Sequence, residues 1–285
     1  MDTTVVLIPF PEQPTSESTG WSIARVSVPT KDVTALKTAL SGRGVSYYPD
    51  VPDAAGSPRA LLLLDRYDER WLEVVRGIAT GVEPLPHDTY DFSWRLPAGP
   101  VSIGTKVQVV SSASAHDRQG NDDVIVFNPG LAFGDLRHVT TRLCTRAMMN
   151  LVDSGAPPSS LVDVGCGSGI LFLIAARLGV KHLAATDISP YARYVARQNA
   201  SLNGVSLSVS RDIPSERFDV VLANVWAVAF PDLAGPIQAS LAEGGTAVIS
   251  GFPSNEAESV IACFPELRFT PHEEDGWCAL IGKRP

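Results

Sequence analysis

A chain of 285 residues, 45% hydrophobic and 19% charged, is long enough to bury a substantial core and divides most naturally into two domains. Its formal charge of -8 weighs against a broad phosphate-binding face, so nucleic acid is not an expected partner. The four cysteines (Cys144, Cys166, Cys263, Cys278) lack close pairing and the five histidines lack ligand spacing, which predicts reduced thiols and no metal centre. Met1-Asp-Thr-Thr carries no basic stretch, and Val5 to Phe10 is too short an apolar run for export or membrane spanning. A cytoplasmic location without a membrane partner is the expectation.

In chain order, Pro9 to Gly20 reads as a loop. Trp21 to Val28 alternates as a strand, and Lys31 to Leu40 has helical spacing. Ala60 to Leu64 is a second strand, and Glu69 to Ile78 a helix carrying Trp71, Val74, Val75 and Ile78. Residues 1–83 thus read as a small α+β domain. Pro84 to Pro100 reads as an extended connector, followed by a strand pair, Lys106 to Val110 and Val124 to Phe127, so that 84–130 links the domains.

Residues 131–285 alternate helix and strand in the manner of a doubly wound α/β sheet. Leu143, Ala147 and Leu151 share a helical face, and Gly155, Pro157 and Pro158 end that helix. Leu161 to Val164 and His182 to Thr186 read as buried strands, with a helix over Ser168 to Leu178 between them. Ser189 and Pro190 are an N-cap and first turn of a helix ending near Asn203-Gly204. Val205 to Val209, Phe218 to Ala223, Thr246 to Ser250 and Cys278 to Ile281 are further strands, with helices around Asp232 to Leu241 and Glu256 to Phe264.

The most informative run is Leu161-Val-Asp-Val-Gly-Cys-Gly-Ser-Gly-Ile170, with Asp187 closing the next apolar strand. Gly165, Gly167 and Gly169 permit unusual dihedrals in a strand-to-helix turn, and the helix N-terminus offers unpaired N–H groups. A dinucleotide turn reads G-x-G-x-x-G, whereas this one reads G-x-G-x-G behind Asp163. A carboxylate there suits a cationic ammonium and repels a pyrophosphate, so S-adenosylmethionine fits better than NAD. Asp187 is placed to accept from ribose hydroxyls at the switch point of the sheet. Cys166 and Ile188 lie in the same two turns. Asp212 follows the next strand, as an adenine partner or as a solvated turn carboxylate.

The chain resembles the PrmA-like family of ribosomal-protein methyltransferases over roughly residues 127 to 285. The resemblance rests on Phe127-Asn-Pro-Gly-Leu-Ala-Phe133-Gly134, His138, Thr140-Thr141-Arg-Leu-Cys144, the glycine turn, Asn199 to Gly204, Ala223-Asn224, Gly244-Gly245 and Ile249-Ser-Gly251. It implies a class I methyltransferase fold, Rossmann-like and mostly parallel with an antiparallel last strand, behind a small substrate-recognition domain. It also implies S-adenosylmethionine as cofactor and S-adenosylhomocysteine as product. One stretch departs. Where the family has Gly-Thr-Gly-Thr-His-Pro-Thr-Thr, this chain has Gly134-Asp-Leu-Arg-His-Val-Thr-Thr141, with Leu136 in place of the second glycine. In the family that loop borders the entrance for cofactor and substrate, which admits a changed acceptor.

Methyl transfer from a sulfonium needs alignment and desolvation more than a strong base, and an amine acceptor must be neutral. Asn224, ending the strand Phe218 to Ala223, is the candidate that positions the nucleophile, its carbonyl accepting an N–H without adding charge. Its plain alternative is a turn or cap residue. Trp226 either faces a cation through its ring or packs half-buried. His138 belongs to the site loop with Phe133 and Thr141, without an assigned catalytic role. Asp135 and Arg137 either select a charged substrate group or pair with each other. Three function classes follow. The first is N-methylation of a protein or small amine, the second O- or C-methylation of a small molecule, and the third non-catalytic cofactor binding.

Overall fold

The computed structural model describes residues 22–28, 32, 34–35, 38, 51–52, 58–64, 75–78, 81–86, 92–105, 107–112, 123–155 and 157–284. The chain forms two compact units, Met1–Tyr90 and Asp91–Pro285. In the first, β1 (Ser22–Ser27) lies between β3 (Pro58–Leu64) and β4 (Gly81–Pro86), antiparallel to both, and the short β2 (Val51–Pro52) extends the sheet past β3. Val26 and Val28 are buried. Strand β4 runs through Pro84, where the sequence reads as a connector. Prolines are tolerated there because β4 is an edge strand. Most of the expected helices at 31–40 and 69–78 lie outside the described residues.

The second unit holds β5 (Val101–Ile103), β6 (Val107–Ser111) and β7 (Val124–Phe127) in a three-stranded sheet, β6 running antiparallel to β5 and parallel to β7. The strand pair read from sequence is there. The third strand, β5, is too short to show a period. These strands share one core with the rest of the unit: Ile103, Val107, Ile125 and Phe127 pack with Phe172, Ile174 and Leu222.

The main sheet has seven strands in the order β10-β9-β8-β11-β12-β14-β13. They are β8 (Ser160–Val164), β9 (His182–Thr186), β10 (Ser208–Ser210), β11 (Phe218–Asn224), β12 (Leu241–Pro253), β13 (Arg268–Glu274) and β14 (Trp277–Lys283). All neighbours from β10 to β12 are parallel, and β14 inserts antiparallel between β12 and β13. The doubly wound, mostly parallel sheet with an antiparallel last strand is therefore the observed fold. Two details differ from the sequence reading. The strand expected over Val205 to Val209 is only Ser208–Ser210, and β13 went unread because its exposed residues carry no apolar alternation.

Among the described residues five helices flank the sheet: α1 (Val139–Asp153), α2 (Ile170–Arg177), α3 (Pro190–Leu202), α4 (Phe230–Ala239) and α5 (Ala257–Ala262). Their starts follow local chemistry. Ser189 Oγ accepts the Ala192 N–H at 3.2 Å with Pro190 in the first turn, and Asn203-Gly204 ends the same helix. On one face of the sheet Phe230, Phe252 and Phe264 meet edge to face. No helix among the described residues is long and apolar enough to cross a membrane.

Two buried amides, Asn199 on α3 and Asn203 at its C-terminal end, tie that helix to β7 and the residue after it. Asn203 accepts the Val126 N–H at 2.9 Å and donates to the Val126 carbonyl at 2.7 Å. One turn earlier Asn199 does the same for Asn128, at 3.0 and 2.8 Å, and also donates to the Ser168 carbonyl at 2.9 Å. The side chains thus pair a strand edge that would otherwise be buried without partners. Asn203→Ala leaves both polar groups of Val126 unmet. It is expected to cost about 2–4 kcal/mol in urea unfolding, against less than about 0.5 kcal/mol for a surface change such as Asn150→Ala.

Candidate functional site

The glycine turn joins β8 to α2 at the carboxyl end of the sheet, where open α/β folds place ligands. Gly167 is its most constrained residue. It holds a left-handed φ of +54°, and a Cβ on it would stand 2.5 Å from the Phe133 carbonyl oxygen. Its N–H donates to Asp187 Oδ2 at 2.9 Å. Only glycine meets all three conditions. Gly165 likewise leaves room for a neighbour, since a Cβ there would strike Val225 Cγ1. The turn is therefore flanked by the Phe133 loop on one side and by the segment after β11 on the other.

Further bonds fix these neighbours. Ser168 N–H donates to the Phe133 carbonyl at 2.8 Å and Ser168 Oγ to the Gly134 carbonyl at 2.6 Å. Val225 N–H donates to the Ser250 carbonyl at 3.0 Å, holding the backbone between Asn224 and Trp226. Cys166 N–H donates to the Thr186 carbonyl at 2.9 Å. Asp187 Oδ1 accepts the Ser189 N–H at 2.8 Å, so each of its oxygens is engaged once and keeps a second lone pair. Burial nevertheless raises its carboxyl pKa, and the two backbone N–H bonds oppose the rise.

Several buried polar atoms here have no hydrogen-bond partner: both oxygens of Asp163, Thr141 Oγ1 and Asn224 Oδ1. Such atoms are costly in a folded protein unless something meets them. Burial lifts the Asp163 carboxyl to about 7. The Phe172 N–H in the first turn of α2 draws it back without closing a normal hydrogen bond, and the Asp187 charge adds to the rise. Burial also raises the Cys166 thiol well above its ordinary value and the Cys144 thiol to about 12, so both remain protonated packing groups. Ile188 is 73% exposed beside Asp187. Asp212 is exposed just past β10, whose Ser210 carbonyl accepts the Asp187 N–H at 3.1 Å.

His138 caps α1. Its Nδ1 accepts the Thr140 N–H at 3.3 Å and sits 2.8 Å from Thr140 Oγ1. Its ring meets Trp277 edge-on at 4.5 Å and Phe133 at 5.4 Å. Burial lowers its pKa, with Asp135 opposing and Arg142 reinforcing the shift, so the ring is neutral at pH 7.

Asp135 and Arg137 meet through the Arg137 backbone, and each side chain has a further partner within this unit. Asp135 Oδ2 bridges to the buried Arg95 guanidinium at 3.2 Å, and its Oδ1 accepts the backbone N–H of Arg137 at 3.1 Å rather than the guanidinium. Arg137 itself donates to the Leu96 carbonyl at 2.5 Å. Leu136, at the position of the family's second glycine, has a left-handed backbone, φ +67°, and its side chain is buried in the core. Arg95 also donates to the carbonyls of Gly130 and Ala132 at 2.8 and 2.7 Å. The divergent residues are thus absorbed into the chain's own structure. Arg95 was invisible from sequence because a Pro- and Gly-bounded segment gives no sign of burying a cation. Trp277 and Tyr191, whose hydroxyl accepts the Leu131 N–H at 2.8 Å, were likewise unsignalled.

Arg95→Met is expected to destabilise by about 3–5 kcal/mol, because it strands a part-buried carboxylate and two carbonyls. Asp135→Asn, which keeps one acceptor oxygen and leaves both carbonyls bonded to Arg95, costs clearly less. Chemical denaturation of the two variants measures the difference, and equal losses would show that the ion pair rather than the carbonyls matters.

Residues 78–285 match the family of ribosomal protein L11 methyltransferases (PrmA). The ribosomal protein L11 methyltransferase of Chromohalobacter salexigens is 34% identical over 239 residues, covering 78% of this chain and 77% of that protein. Its counterpart from Geobacter metallireducens is 35% identical over 207 residues, covering 70% and 68%. The crystal structure of a ribosomal protein L11 methylase from Lactobacillus delbrueckii subsp. bulgaricus superposes with a TM-score of 0.57 at 27% identity, over 65% of this chain and 98% of that one. The chain belongs to the PrmA family and is a class I S-adenosylmethionine-dependent methyltransferase.

Proposed function

We propose that this enzyme N-methylates an amino group of ribosomal protein L11. The unpartnered Oδ1 of Asn224 carries the reading: a buried acceptor, charge-free, at the end of β11 and one residue from the Val225 side chain that abuts the glycine turn. The names of the relatives supply the acceptor. The divergence of the 134–141 loop, which had admitted a small-molecule acceptor, loses its force because Asp135, Leu136 and Arg137 are engaged internally.

The residues present fit the cofactor. Asp163 is a buried carboxylate without a partner, suited to the ammonium of a methionine moiety, and Thr141 Oγ1 is a second unmet buried group nearby. Asp187 would accept from ribose hydroxyls with its spare lone pairs. Ile188 would cover the adenine and Asp212 would meet its amino group. Gly165, Cys166, Gly167 and Gly169 would form the backbone floor. When bound, S-adenosylmethionine supplies an electrophilic methyl group on a cationic sulfur.

The chain's own work is positioning. The acceptor nitrogen reaches the site after losing its proton to solvent, and Asn224 Oδ1 accepts a remaining N–H so that the lone pair is oriented. The nitrogen sheds a second proton once its new N–C bond has formed. His138 stays neutral and holds Phe133 and the start of α1 in place.

Asn224→Ala is expected to lower transfer of labelled methyl to L11 by about 100-fold while leaving cofactor affinity near its original value. Loss of cofactor binding with the fold intact would move Asn224 out of the positioning role. Mass spectrometry of L11 after incubation tests the acceptor itself, and an unmodified L11 beside an active enzyme would contradict it.

A pH dependence follows from Asp163. Its folded carboxyl sits near 7 against an ordinary value of 3.8, so the native state binds the extra proton between those limits and folding stability falls as pH rises through them. Cofactor binding needs the ionised form. Affinity measured by calorimetry should therefore rise from pH 6 to pH 8, by up to about tenfold per unit below 7, and Asp163→Asn should flatten the profile.

A further inference from the structure

Each polar group of Asp187 is held by a different partner. Its carboxylate oxygens take the Gly167 and Ser189 N–H groups, and its own N–H donates to the Ser210 carbonyl on β10. Its carbonyl is met by a side chain. Arg193 Nη1 donates to the Asp187 carbonyl at 2.8 Å and to the Ile188 carbonyl at 3.1 Å. Arg193 lies near the start of α3, so its guanidinium reaches back past the Ser189 cap to the turn that precedes its own helix. The two bonds fall on the residues proposed above to meet the ribose and the adenine. Burial disfavours the Asp187 charge, whereas the two backbone N–H bonds and the Arg193 charge favour it. The other titratable groups coupled to Asp187 are Asp163 on β8 and the Cys166 thiol of the glycine turn, and neither brings a positive charge. Arg211 and Asp212, past β10, are exposed to solvent.

We propose that Arg193 is a positioning residue for the cofactor: it fixes the backbone of Asp187 and Ile188 and gives the Asp187 carboxylate a positive neighbour while that carboxylate accepts from ribose hydroxyls. The inference rests on the proposed cofactor contacts of Asp187 and Ile188 and adds what holds them in place. Each Asp187 oxygen commits one lone pair to a backbone donor, and a ribose diol needs the other two. A protonated Asp187 would present a donor where the ribose brings donors of its own, so one of those two bonds would be lost. The Arg193 charge opposes that protonation, and its two carbonyl bonds keep the carboxylate aimed.

The test is calorimetric affinity of the full chain for S-adenosylhomocysteine across about pH 5.5 to 8.5, with circular dichroism as the check on folding. Arg193→Gln keeps a donor and drops the charge. Relative to the wild type it should bind about tenfold more weakly at the acid end, because removing an opposite charge lifts a carboxyl pKa by about one unit. The loss should shrink to less than about threefold at the alkaline end, where Asp187 is ionised in both proteins. Arg193→Lys, which keeps the charge, should stay within about threefold of the wild type throughout. The pH dependence assigned to Asp163 is common to all three proteins and cancels in the ratio. Unchanged affinity in the glutamine variant overturns the inference. So does a loss of the same size at every pH, or one shared equally by the lysine variant, since a brace without an electrostatic part would behave that way. Should the glutamine variant fail to fold, the lysine variant decides: near-wild-type affinity at every pH supports the inference, and a loss beyond about threefold overturns it. A wild-type chain that binds no S-adenosylhomocysteine removes the cofactor reading and this inference together.

Discussion

Three demands meet at Gly167, and most of the site follows from them. Its N–H must reach Asp187, its missing Cβ must admit the Phe133 carbonyl, and its φ must be left-handed. The first demand couples β8 to the end of β9, and the second docks the loop that precedes α1. Ser168 repeats the same docking with two further bonds. The turn is a junction between strand ends rather than an isolated loop, which is why residues distant in sequence converge there. Rigidity of this kind matters for a displacement reaction, where misplacement of the reacting atoms is costly.

The loop from Gly134 to Thr141 departs from the family's residues and is bonded within its own unit. Leu136 in a left-handed conformation costs on the order of 1–2 kcal/mol, whereas burying a leucine side chain returns about 1.5–3 kcal/mol, so burial prevails. Asp135 is a charge brought close to the interior, and a neighbouring cation must answer it. Arg95 does so, and its Nη1 meets two backbone carbonyls, an arrangement that helps make a buried guanidinium tolerable. The substitutions are mutually consistent as structure. Phe133 and Trp226 stay exposed, so Trp226 is not half-buried packing, and the buried Oδ1 of Asn224 has no hydrogen-bond partner.

Much of this was legible in the sequence, for identifiable reasons. Buried parallel strands such as His182–Thr186 are continuous apolar runs with clear ends, and Ser189-Pro190 and Asn203-Gly204 are local caps whose chemistry acts within a few residues. The glycine turn was readable because backbone conformation and ligand charge both constrain it. Long-range partners were not readable. Nothing near Arg95 announces that it will bury itself beneath Gly130 and Ala132, and Trp277 reaches His138 only through the antiparallel placement of β14. The three-residue strand Val101–Ile103 and the exposed β13 lack the periodicity on which a strand reading depends.

The central claim is that Asp163 and Asp187 grip the two ends of an adenosyl cofactor across the turn at 165–169. A crystal structure with S-adenosylhomocysteine tests it most directly. The account predicts ribose hydroxyls on the Asp187 carboxylate and the amino acid end of the ligand over Asp163 and Thr141, with the sulfur facing Asn224. A ligand bound elsewhere, or an Asp187 with no contact to the ribose, would contradict it.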